Sequence, residues 1–68
     1  MEKSRVHAIL MPFLNSTSQS ERNWLKHATI EELSELVELG YIQRIVEEGF
    51  FSGVRYSVTE LGRKYIDW

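Results

Sequence analysis

The sequence predicts an α+β domain: three helices, then a β-hairpin, then a short C-terminal helix. Three observations lead to it. Apolar residues recur at helical spacing as far as Leu39. Two runs rich in β-branched and aromatic residues follow, separated by a turn with two glycines. A threonine then precedes a last stretch of helical periodicity.

Bulk properties bound the function before any motif is read. A chain of 68 residues holds one domain, residues 1–68, and a chain this short buries only about 60% of its unfolded surface. There is no cysteine, so neither a disulfide nor a thiolate metal site can staple it. A reducing, cytoplasmic setting is expected on that ground, with self-association as the remaining way to add stability. His7 and His27 have no partner at ligand spacing, so no metal and no cofactor are expected. No run approaches 18 apolar residues, which excludes a membrane-spanning helix. The apolar run Ala8–Leu14 is broken by Pro12 and lacks a small-residue cleavage site, so it reads as a helix of the domain rather than a signal peptide. No Ser-His-Asp grouping, glycine-rich phosphate loop or paired-carboxylate cleft is readable, and an enzyme is not expected. The formal net charge of −2 argues against a dedicated, strongly basic nucleic-acid binder unless charge is segregated.

Along Lys3–Leu14, Val6, Ile9, Leu10, Phe13 and Leu14 share one helical face. Pro12 lacks an N–H and crowds the carbonyl of Ala8, so this helix should kink, or stop near Leu10 and resume. Ser18 and Glu21 form an S-x-x-E capping pattern, with Ser20 as the other candidate cap, for a second helix running to about Ala28. Trp24, Leu25 and Ala28 are its expected core residues, with Arg22 and Lys26 outside. Thr29 and Glu32 repeat the capping pattern one residue later. So short a join forces the second and third helices to cross steeply. The third helix covers Ile30–Leu39, with Ile30, Leu33 and Val37 inward and Leu36 at the edge. Gly40 is its expected left-handed stop. Tyr41–Val46 and Val54–Val58 read as two strands around the turn Glu47–Gly53. Thr59 caps a last helix, Glu60–Asp67, with Leu61, Tyr65 and Trp68 on one side. A short strand before the second helix would complete a three-stranded sheet, and only Ser16-Thr17 offers itself.

Four pieces in this order resemble the winged helix-turn-helix superfamily, in particular the MarR-like and PadR-like transcriptional regulators. They are LVELGYIQR at Leu36–Arg44, the acidic-glycine turn Glu47–Gly53, the strand Arg55-Tyr-Ser-Val, and Thr59-Glu-Leu-Gly-Arg, which looks like a T-x-x-G-R helix start. The resemblance covers about 40 residues, Thr29–Trp68, with Ser18–Ala28 matching loosely. It implies a recognition helix at Ile30–Leu39, a β-hairpin wing, and phosphate contact by the helix at Ser20–Ala28. It also implies double-stranded DNA as partner, read as a homodimer on two half-sites. Base-reading positions would fall on Glu31, Ser34, Glu35 and Glu38.

The chemistry of that helix divides the functional reading. DNA affinity comes mostly from lysine and arginine neutralising phosphates, and this helix has neither. Glutamate can accept from cytosine N4, but three glutamates on one face repel the phosphates on either side. One reading is therefore a DNA-binding regulator whose contact is weak and dominated by the backbone, through Arg22, Lys26, Ser34, Arg44 and Arg55. The other is a protein-interaction module that binds a basic protein surface through Glu31, Glu35 and Glu38. Phe50 or Phe51 would be its apolar anchor, because adjacent residues of a strand cannot both point inward. The blander readings are a solvated acidic face, Arg22 and Lys26 serving solubility, and Arg55 paired across the strands with a glutamate.

Overall fold

The computed structural model describes residues 1–49 and 53–67. Among them the order is α1 (Lys3–Leu10), a 3-10 turn (Met11–Phe13), β1 (Gln19–Ser20), α2 (Glu21–Trp24), α3 (Ile30–Leu39), β2 (Ile42–Glu47), β3 (Gly53–Val58) and α4 (Glu60–Ile66). The architecture is α+β, with four α-helices against a three-stranded antiparallel sheet in the order β1-β3-β2.

Pro12 acts as expected. The α-helix ends at Leu10, and the proline sits in the first turn of a 3-10 segment, where its missing N–H costs nothing. Phe13 thereby stays turned inward with Val6, Ile9 and Leu10. The central position belongs to Trp24. Its indole is fully buried, stacks on Phe13 with centroids 3.8 Å apart, meets Tyr56 edge-on, and donates from Nε1 to the Tyr56 carbonyl at 3.2 Å. The helices and the sheet therefore share one core.

The second helix is shorter than expected. It ends at Trp24 rather than Ala28, and the backbone N–H groups of Lys26 and His27 reach back three residues, to Asn23 and Trp24. This tightening brings Ala28 inward, turns Leu25 out to 44% exposure, and delivers the chain to an extended Thr29. The Ser18–Glu21 capping box does not form. Gln19 and Ser20 pair with Tyr56 and Arg55 of β3, so Ser18 lies against the sheet, and Ser20 is the N-cap without a side-chain bond. The third strand is thus present, but at Gln19–Ser20 rather than Ser16-Thr17.

The bounds of α3 match the expectation, with the Thr29–Glu32 capping box formed and Gly40 left-handed at φ 84°. Its buried stripe is rotated. Leu33 and Leu36 are fully buried, Val37 is half-buried, and Ile30 is 49% exposed. At about 100° per residue, a stripe centred between Leu33 and Leu36 leaves Ile30 a quarter turn away. In α4 the inward residues are Gly62 and Ile66, while Leu61 is exposed, because Gly62 lies against the Tyr41 carbonyl. Tyr65 stacks on Tyr41 at 4.4 Å. Trp68 lies outside the described residues.

Arg5 ties α1 to the α2–α3 turn. It donates from Nε to Glu32 Oε2 at 2.7 Å and from Nη2 to the His27 carbonyl at 3.2 Å. That hydrogen-bonded ion pair, with the Thr29 N–H as second donor, holds the Glu32 carboxyl at about 2. A depressed carboxylate stabilises the fold above its unfolded value, near 4.5, and the contribution is lost as pH falls towards 2. The urea midpoint should therefore drop between pH 4.5 and pH 2, and Glu32→Gln should flatten that drop. An equal acid slope in the variant would show that Glu32 is not the group titrating.

Candidate functional site

The outward face of α3 follows from its buried stripe. Glu31, Ser34, Glu35 and Glu38 fall opposite Leu33 and Leu36, and all four are exposed. Together with Ile30 they border a shallow depression. Glu32 is drawn off this face by Arg5. The N-terminal ammonium of Met1 lies 3.5 Å from Glu35 Oε2, so one of the three remaining glutamates is paired with a cation from outside the helix.

A second groove, of about 330 Å³, runs between α3 and the sheet. Ile30, Ser34 and Val37 form its α3 wall, Glu21 closes one end, and Arg44 and Tyr56 come from the strands. Arg44 and Tyr56 are register partners on β2 and β3, so their side chains leave the same face of the sheet. The Tyr56 ring is buried against Trp24, and its hydroxyl donates to Glu21 Oε2 at 2.7 Å. Burial and the adjacent Glu21 carboxylate raise the Tyr56 hydroxyl above its ordinary value, while the neighbouring Arg44 guanidinium opposes the shift. A phenol oxygen that gives its one proton to Glu21 keeps lone pairs to accept from Arg44. Arg44, Tyr56 and Glu21 thus stand side by side along the groove, from β2 through β3 to α2.

The structure separates the other predicted cations. Arg55 donates to Ser18 Oγ at 3.0 Å and to the Ser18 carbonyl at 2.9 Å, and pairs with Glu47 at 3.3 Å. Its guanidinium fastens β1 and β2 to β3, and the cross-strand reading describes it. Lys26 is exposed and lines a different groove, with Phe13, Gln19 and His27. Arg22 is exposed on α2. Of the DNA-contact set, Ser34 and Arg44 are brought together. Phe50 and Phe51 lie outside the described residues.

Two members of the groove were not singled out by sequence. Glu21 reads as half of a capping box, which hides its tie to the sheet. Tyr56 carries a signal: in Val-Arg-Tyr-Ser-Val, alternation from Val54 and Val58 puts it on their face. A roomier cavity, about 600 Å³, lies elsewhere, between the end of α1 and α4, lined by Met11, Leu14 and Ile66 with His7, Arg63 and Asp67. Among the described residues no cluster could hold a metal ion, and no helix is long and apolar enough to cross a membrane. No family model, no curated protein and no solved structure matches this chain.

Proposed function

We propose that this chain is a winged helix-turn-helix domain that binds double-stranded DNA weakly, as a small transcriptional regulator resembling the MarR-like and PadR-like branches. In this reading α2, the turn Leu25–Thr29 and α3 are the helix-turn-helix, β2 and β3 are the wing strands, and β1 completes the sheet. The observation that carries it is the placement of α3. Its Ser34 edge is open to solvent and shares a groove with a cation of the adjoining strand, Arg44. Exposed Arg22 and Lys26 on and just after α2 supply phosphate contacts, which position a duplex without reading its sequence. Binding by two copies fits the half-site logic of such domains, and sedimentation at two concentrations tests for the dimer.

Fluorescence anisotropy with random-sequence duplex, at low and at physiological salt, tests the reading. Binding at low salt that weakens steeply with added salt is expected, with a dissociation constant of about 10⁻⁴–10⁻⁶ M at physiological salt. Arg22→Ala with Lys26→Ala should reduce the log–log salt slope by about two. Absence of binding at low salt overturns the proposal.

One observation favours a second reading, a protein-interaction module that docks a basic protein surface. Glu31, Glu35 and Glu38 are exposed on a face with no lysine or arginine of its own helix. A triple Glu→Lys variant at these positions should then lose its partners in a pull-down and gain affinity for duplex. Identical partners from variant and wild type would leave the face as solvated surface.

A further inference from the structure

We propose that Arg44 is the specificity-determining residue of the DNA-binding surface, that it reads the acceptor edge of a guanine, and that Tyr56 and Glu21 are its positioning residues. This rests on the DNA-binding reading and deepens it.

The argument starts with rigidity. An exposed arginine on a strand ordinarily samples many rotamers, and ordering it on contact costs binding free energy. Arg44 stands opposite Tyr56 in the β2–β3 register, and Tyr56 cannot move. Its ring is 3% exposed, Trp24 packs on it edge-on, and the Trp24 N–H holds its carbonyl. Its hydroxyl is fixed by Glu21 at 2.7 Å. The phenol oxygen therefore offers Arg44 an acceptor at one place. A guanidinium has five N–H donors, so one contact orients the fork and leaves the others for a ligand.

Surroundings decide which ligand. Arg44 shares its groove with Glu21, and across Ser34 lies the face of Glu31, Glu35 and Glu38. A phosphate placed there would meet these carboxylates. A neutral edge with acceptors alone would not, and the guanine O6/N7 edge in the major groove has that character. Its spacing matches the arginine fork, whereas an adenine edge turns a donor towards it. The other arginines near the core are committed: Arg5 to Glu32 and His27, Arg55 to Ser18 and Glu47. Ser34, on the opposite wall, can donate or accept beside the same base.

The test is anisotropy with two duplexes of equal length, one containing G·C pairs and one all A·T. Wild type should prefer the first by roughly tenfold, the discrimination of one good bidentate contact. Arg44→Ala should remove the preference, and should also weaken binding to the A·T duplex through the loss of one cation. Arg44→Lys should not restore it, because a lysine lacks the fork. Tyr56→Phe keeps the ring and should reduce the preference to about threefold, with no further effect in the Arg44→Ala background. Replacing guanine with 7-deazaguanine, which removes N7, should weaken wild type and not Arg44→Ala. A preference that survives Arg44→Ala overturns this inference alone. Absence of wild-type binding to either duplex overturns it together with the DNA-binding reading.

Discussion

Replacing Trp24 with alanine is expected to leave the domain largely unfolded at room temperature. Removing a fully buried tryptophan costs about 3–5 kcal/mol, the sum of lost transfer energy and the cavity left behind. A chain of 68 residues has roughly 3–10 kcal/mol in total. The loss should lie at the upper end, because Trp24 joins the 3-10 turn, α2 and β3 at the centre of the core. It stacks on Phe13 of the 3-10 turn, meets Tyr56 of β3 edge-on, and its N–H satisfies the Tyr56 carbonyl. Two of those partners would face a void, and α2, only four residues long, has too few turns to hold itself. Trp24→Phe separates the contributions: it keeps an aromatic ring and removes the N–H, and should cost about 1–3 kcal/mol. Urea denaturation followed by far-ultraviolet circular dichroism measures both. A loss below about 1 kcal/mol for the alanine variant would mean that the indole is not the centre of this core.

What could be read from the sequence was local, and what was lost depended on distant neighbours. The limits of α3 are written in adjacent residues: Thr29 and Glu32 cap one end reciprocally, and Gly40 takes the left-handed conformation at the other. The two strands are legible for the same reason. Which residues point inward is another matter. Ile30 and Leu36 are both apolar and both near the edge of a 3.6-residue stripe, and only the packing of α1 and the sheet chooses Leu36. Ser18 and Glu21 have correct capping spacing, but β1 pairs with β3 and turns Ser18 towards Arg55, while Tyr56 draws Glu21 to the groove. The candidate site divides likewise. The acidic face of α3 was visible because opposite faces of one helix follow from spacing. The Arg44–Tyr56–Glu21 row was not, because it joins three elements through a strand register that alternation does not specify.

The clearest case of a distant neighbour deciding a local question is Gly62, and it carries a prediction whose sign opposes the ordinary rule. A glycine inside a helix is destabilising by about 0.8–1 kcal/mol relative to alanine, so Gly62→Ala should stabilise α4 if propensity governed. A Cβ built there would lie 2.2 Å from the Tyr41 carbonyl oxygen and 3.0 Å from its carbon. Both are backbone atoms, and that carbonyl already accepts from the Thr59 N–H at 3.1 Å, so it cannot swing aside without breaking the bond. The Thr59 hydroxyl accepts from the Gly62 N–H at 3.1 Å and donates to the Gly40 carbonyl, which fixes the first turn of α4 against the end of α3. Threonine and glycine in Thr59-Glu-Leu-Gly are thus two parts of one docking contact: the first anchors the helix, and the second lets it approach. Gly62→Ala is expected to cost roughly 3 kcal/mol or more, by forcing α4 off the α3–β2 junction. Gly53→Ala is the control, since a Cβ there meets nothing within 4 Å, and its effect should stay within about 0.5 kcal/mol. Tyr41 leads into β2, the strand of Arg44, so Gly62→Ala should also weaken the proposed duplex binding under conditions where the variant remains folded. A Gly62→Ala variant as stable as wild type would refute the close approach of α4 to Tyr41 and the explanation of the Leu61 and Gly62 faces built on it.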